Sequence, residues 1–286
     1  MRRGATGWGH GMMGVVIFSG SLPATKLAVA DFSALSLTGA RAVIAAAIGT
    51  ALLLIFRQKR PARSDLPKLL IVSGGVVIGF PLLTALALRH VTAAHSLVFA
   101  GLLPLSTASF GVLRGGERPG PGFWLFALGG SLLVMGFAAW QGAAGSRGDD
   151  LLLVGAILLC GLGYAEGAVL ARRLGGWQVI CWALLLALPA AVAVVAVAWP
   201  ARWNGVPTGA WLGLGYVSLF SMLIGFMFWY RGLLLGGIAV VGQLQLLQPL
   251  LGLLLAALIL HEPVGWTTLA VTALVVLCVA QARRHA

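Results

Sequence analysis

Residues 174–201 and 232–260 contain no Asp, Glu, Lys or Arg. A helix needs about 20 apolar residues to cross the hydrocarbon core of a bilayer, and both stretches are longer than that. In lipid, backbone polar groups must be bonded inside the segment, so such stretches fold as helices. The rest of the chain agrees. Of 286 residues, 60% are hydrophobic and 9% charged, and the mean hydropathy is +1.00. A soluble domain carries about 25% charged residues, and one of this length cannot hide so much apolar surface. A soluble enzyme, a disordered chain and a disulfide scaffold are excluded. Cys160, Cys181 and Cys278 lie in apolar stretches without a C-x-x-C spacing and read as small buried hydrophobes.

Cutting the chain at charges and at Gly/Pro clusters gives candidate spans over 12–30, 33–56, 66–88, 91–113, 122–140, 151–171, 177–199, 209–230, 237–260 and 265–282. The expected fold is an all-α polytopic membrane protein of ten transmembrane helices. Arg2 and Arg3 precede an apolar run with no clean small-x-small cleavage site, so the first span reads as uncleaved. The net charge is +12, but the basic residues are spread over short loops and form no nucleic-acid motif. With the N-terminus placed inside, the inner loops collect 14 Lys and Arg, from Arg2 to Arg284, and the outer loops only Arg89, Arg147 and Arg202. This bias predicts both termini cytoplasmic, in a bacterial inner membrane.

Two segments repeat. Leu103-Pro104 runs on to Gly116-Glu117-Arg118-Pro119, and Gln248-Pro249 runs on to His261-Glu262-Pro263. In each, a proline precedes a glutamate by 13 residues, and the copies are offset by 145, about half the chain. The offset overlays span four on nine and span five on ten. It divides the chain into a first five-helix repeat, 1–145, and a second, 146–286. Five is odd, so the second half enters the membrane from the opposite side. Such inverted repeats are common in transporters whose substrate site lies between the halves.

These motifs resemble the drug/metabolite transporter superfamily, in its EamA-type branch. Phe18-Ser19-Gly20 leading to Lys26 matches the end of that family's first helix, and Arg41 an arginine of its second. Pro104 to Gly116-Glu117 and Pro249 to His261-Glu262 match its fourth and ninth helices. Ala85-Leu86 to Val91-Thr92-Ala93-Ala94 matches its turn between helices three and four. His261 replaces the usual Gly, and no Trp stands beside Phe18. The resemblance implies secondary transport of small metabolites, often outward, with no bound cofactor. Some members export amino acids, including aromatic ones.

Polar residues inside a membrane are functional candidates. Glu166 lies about 9 Å from the inner end of span six. It reads either as a proton carrier or as half of an ion pair with Arg231. Gly163 and Gly167 flank it in a G-x-x-x-G pattern. Lys26 and Arg41 fall in the outer halves of spans one and two. They can hold a carboxylate, snorkel to the interface or pair with Asp31. His95, Phe99 and Leu103 share a helix face at i, i+4 and i+8, overlaying Val240, Leu244 and Gln248 at the repeat offset. If spans four and nine line a central cavity, His95, Phe99, Gln245 and Gln248 converge there. Gln243 points about 200° away from Gln245. Helix packing through hydrogen bonds is the plainer role for each. Pro104 and Pro249 are expected as mid-helix kinks that gate the site. Gly75/Gly79 and Gly232/Gly236 read as close helix contacts. Trp124, Trp140, Trp177, Trp199, Trp203, Trp211 and Trp266 read as interface anchors, while Tyr164, Trp182, Phe226 and Trp229 lie deeper.

No P-loop or Rossmann fingerprint occurs, so no ATPase subunit is implied. An intramembrane hydrolase is disfavoured, because only His95 lies well inside a span and His261-Glu262 is an adjacent pair at a helix end. The expected partners are a small-molecule solute and the lipid bilayer. The expected function is export of amino acids, aromatic or other apolar ones among them, by alternating access. Efflux of cationic drugs and antiport of nucleotide-linked sugars are the alternatives.

Overall fold

A computed structural model describes residues 2–91, 93–140, 146–198, 205–252 and 266–285. The described residues fold as helices and short connections, without strands. Among them, six helices are long and apolar enough to cross a membrane: Ala5–Ala28, Ala34–Ile55, Arg63–Ala87, Arg147–Leu174, Gly176–Val197 and Thr208–Gly236. Pro121–Phe137 and Ile238–Gly252 are shorter apolar helices.

The order begins with α1 (Arg2–Ser19), α2 (Ser21–Ala28) and α3 (Ala34–Ile55). The third membrane-length helix comprises α4 (Leu66–Val72), a π-helical segment (Ser73–Gly79) and α5 (Phe80–Ala87). Then come α6 (Ala93–Ala100), α7 (Leu103–Gly115), α8 (Pro121–Trp140), α9 (Arg147–Leu174) and α10 (Gly176–Val197). Next are α11 (Thr208–Tyr216), a second π-helical segment (Val217–Ile224) and α12 (Gly225–Gly236). The chain continues with α13 (Ile238–Gly242), a 3₁₀ turn (Gln243–Leu246), α14 (247–252) and α15 (Trp266–Arg284). The two π-helical segments lie 144 residues apart at their starts and 145 at their ends, the offset of the sequence repeat.

The packing axis is α9, which touches α4 to α7, the first π segment, α10, α12 and α13. At 28 residues it is about 42 Å long. Small residues let its neighbours approach. A Cβ on Gly75 would stand 2.5 Å from the Leu159 carbonyl oxygen, and one on Gly167 2.1 Å from the Tyr230 ring. Elsewhere α1 meets α12 backbone to backbone: a Cβ on Gly7 would stand 2.6 Å from the Gly236 nitrogen, and one on Gly232 equally close to the Gly11 nitrogen. Lipid tails are as apolar as leucine, so such close contacts, rather than burial of oil from water, hold membrane helices together.

One of the two prolines requires a correction. Pro104 is not a mid-helix kink: the expected fourth span breaks at the turn over 101–102, and Pro104 occupies the first turn of α7. A first-turn N–H has no intrahelical acceptor, so proline there loses nothing. Pro249 lies inside the continuous helix Ile238–Gly252, which tightens to 3₁₀ over Gln243–Leu246, the turn before it. Pro189 likewise sits inside α10. His261, Glu262, Pro263, Arg202, Trp199, Trp203 and Thr92 lie outside the described residues.

Candidate functional site

Between α2, α3, α5, α6, α9 and the second π segment lies a cavity, walled by the rings of Phe18, Phe80, Phe99 and Phe226 and by aliphatic side chains. Its polar groups are the hydroxyls of Ser21, Thr25, Thr84, Ser96, Tyr164 and Ser221, the Gln248 amide and one cation, Arg41. Among the described residues, no carboxylate lines it. Free space is about 50 Å³. A water needs roughly 10–15 Å³ of such space, so the cavity admits a few waters and no metabolite. This is a closed conformation.

Arg41 is 5% exposed. Its Nη2 donates a long hydrogen bond of 3.4 Å to Ser221 Oγ, which also accepts from Ser21 Oγ at 2.8 Å. Its Nε has no partner among the described residues. A guanidinium without water or a counter-ion is costly. Ser221 projects from one π-helical segment, and Val76, from the other, also lines the wall. Single-turn π bulges recur at functional sites because they re-aim side chains. Below the cavity, Tyr164 packs on Phe226 and Trp229 at centroid distances of 5.8 and 5.4 Å.

Polar contacts gather at both ends of α9. At the C-terminal end of α9, Arg114 Nε donates to Glu166 Oε1. Beside it Arg173 pairs with Asp65 at 2.8 Å, and Tyr230 donates to the Gly163 carbonyl at 3.2 Å. Glu117 accepts hydrogen bonds from the Ile238 and Ala239 amides at 2.6 and 2.7 Å, capping the start of α13. At the N-terminal end of α9, His95 Nε2 lies 2.6 Å from Asp150 and His90 Nδ1 3.1 Å from Asp149. Lys26 Nζ donates to the carbonyls of Leu88 and Val91 at 2.7 and 3.0 Å.

The expected site residues therefore separate. Arg41, Phe99 and Gln248 meet at the cavity. His95 does not: it turns to Asp150, although its ring also lies against Phe99, tilted by 51° at a centroid distance of 5.4 Å. Gln245 does not line it either. It lies behind the wall, 2% exposed, accepting from Thr107 at 3.4 Å. The expected face was broken because α6 ends before residue 103. Lys26 holds backbone carbonyls rather than Asp31. The expected partner of Glu166, Arg231, is replaced by Arg114, because α7 packs along α9 while Arg231 is backed onto Gly176. Sequence reasoning missed the hydroxyls around Arg41, the Asp149–Asp150 pair and the capping role of Glu117. The serines of the apolar run Val217–Ile224 were the available signal. Among the described residues, no three metal-ligating side chains gather.

The sequence profile of the EamA-like transporter family matches this chain twice, over residues 7–139 and 148–281. A protein of Bacillus subtilis (strain 168) called Uncharacterized transporter YdeK is 62% identical over 286 residues, covering 100% of both chains. One solved crystal structure resembles it in fold, with a TM-score of 0.78 at 20% identity over 96% of this chain and 97% of that one. The cavity, the membrane-length helices and the double match lead to one assignment: the chain belongs to the EamA-like transporter family of the drug/metabolite transporter superfamily.

Proposed function

We propose that this transporter exports amino acids with apolar or aromatic side chains, by alternating access around the cavity at Arg41. One observation carries the reading: a buried guanidinium, lacking a carboxylate partner, faces a chamber otherwise lined by rings, hydroxyls and an amide. A carboxylate would pair with Arg41, the hydroxyls and Gln248 would accept from an amine, and Phe18, Phe99 and Phe226 would enclose an apolar side chain. Cationic drugs fit less well, because Glu166 lies outside the lining and is held by Arg114. A nucleotide-linked sugar carries more than one negative charge and would meet one cation.

The working parts in this reading are two inverted five-helix halves, residues 1–145 and 146–286, giving ten spans in a bacterial inner membrane with both termini cytoplasmic. Support comes from the double family match, the π-helical segments at the repeat offset, and the irregular turns that precede both prolines, a helix break before Pro104 and a 3₁₀ turn before Pro249. Glu166 and Lys26 serve as gate contacts at opposite ends, and the two irregular turns as hinges.

Counterflow of a labelled amino acid panel into proteoliposomes tests this, with and without a pH gradient. Saturable exchange of apolar amino acids is expected. In Arg41→Gln the half-saturating concentration should rise by roughly 10- to 100-fold, the value of a hydrogen bond to a charged group. Exchange of another solute class with no exchange of any amino acid would overturn the assignment.

A further inference from the structure

A second open space lies apart from the central cavity. A groove of about 690 Å³ lies where α3 ends, α10 begins and α12 ends. It shares no lining residue with the cavity at Arg41. Its walls are the half-exposed apolar side chains of Leu52, Met227, Phe228 and Leu234, with Phe56 and Trp177 packed edge to face at 5.7 Å. Leu54, Ile55 and Phe56 beside it are exposed. In a membrane-spanning chain these surfaces face acyl chains rather than water, and the aromatic pair marks the height of the headgroups.

The polar end of the groove is basic. Arg231 lines it and has no acidic partner among the described residues, since Arg114 takes Glu166. Gln178 at the same lip donates to Gln58 at 3.2 Å. That contact places the Arg57 to Arg60 segment, with Arg57, Lys59 and Arg60, at the mouth. Among the described residues, no carboxylate lines the groove. A water-soluble anion would gain nothing from the apolar walls, and a neutral lipid would leave Arg231 without a counter-charge.

We propose that this groove is a binding site for one anionic phospholipid, its phosphate held by Arg231 and an acyl chain lying along Leu52, Met227 and Leu234. Basic pockets between helices at the membrane boundary recognise acidic headgroups in this way. The site is separate from the transport pathway and does not depend on which solute is carried.

Native mass spectrometry of the detergent-purified protein tests it, using phosphatidylglycerol and phosphatidylcholine with identical chains. One phosphatidylglycerol should stay bound under activation that strips phosphatidylcholine. In Arg231→Gln its affinity should fall about fivefold, the contribution of one basic residue at an anionic surface. Arg118→Gln, a change at an exposed basic residue away from the groove, should leave it unaltered. Leu234→Trp, which fills the groove, should lose the bound lipid. Equal retention of the two lipids, wild-type affinity in Arg231→Gln, or an equal fall in Arg118→Gln would each overturn the proposal.

Discussion

Charged side chains in this chain differ in who shares their burial, and the differences have measurable consequences. Glu166 is 1% exposed while its partner Arg114 is 45% exposed. Breaking a buried pair is expensive chiefly because of the charge left behind, at about 3–5 kcal/mol when that charge stays buried. Arg114→Gln leaves the carboxylate stranded among apolar groups and should destabilise by an amount near that range. Glu166→Gln leaves a half-exposed guanidinium that water still reaches, and should cost about 1 kcal/mol or less. The double variant, with no stranded charge, should be more stable than Arg114→Gln alone. Thermal unfolding in detergent ranks the three, and equal losses in the two single variants would refute the asymmetry. The depth of Glu166 was legible from its distance to the end of an apolar run. Its partner was not, because a sequence does not say whether α7 or α12 presents its arginine to α9. The same holds for His95, whose position in a span was legible and whose turn toward Asp150 was not.

At the scale of elements, apolar runs marked the helices well. The expected span 151–171 lies inside α9, and 177–199 nearly coincides with α10. The irregular segments were hidden. A π bulge in a run such as Val217–Ile224 changes which side chains face inward, but a run that is apolar on every side carries no periodicity to reveal it. Glycine patterns were half legible. Gly232 and Gly236, and Gly7 and Gly11 on α1, each show the four-residue spacing of a close contact, but the sequence does not say that these two pairs meet. Substitutions separate contact glycines from incidental ones. Gly232→Val drives a side chain into the α1 backbone and should lower the unfolding midpoint strongly, since overpacking costs about 1–3 kcal/mol. Gly129→Ala, where a Cβ meets nothing within 4 Å, should raise it slightly, because alanine favours a helix interior by up to about 1 kcal/mol over glycine. Similar midpoints for the two would show that the α1–α12 approach is not tight.

For the molecule as a whole, the proposed alternating access requires that one seal break while the other holds. The two seals are chemically unlike. The C-terminal end of α9 carries a buried ion pair and a carboxylate-capped helix, and the N-terminal end two His–Asp contacts with Lys26 on backbone carbonyls. Exposure does not separate them: each pair joins an exposed partner to a buried one, with His90 66% and Asp150 39% accessible at one end and Arg114 45% and Arg173 61% at the other. Thr25 lines the cavity and reports on either route. In a background lacking Cys160, Cys181 and Cys278, Thr25→Cys should react slowly with a membrane-impermeant maleimide added to either side of oriented vesicles. Adding Asp149→Ala and Asp150→Ala should speed labelling severalfold from the side that holds the N-terminal end of α9, and leave the other side unchanged. Arg114→Gln should do the reverse. A gain from both sides in either variant would mean that the seals act as one structure, and alternating access could not then be assigned to these contacts. An unchanged rate in both would place the barriers in the ring layer of Tyr164, Phe226 and Trp229 instead.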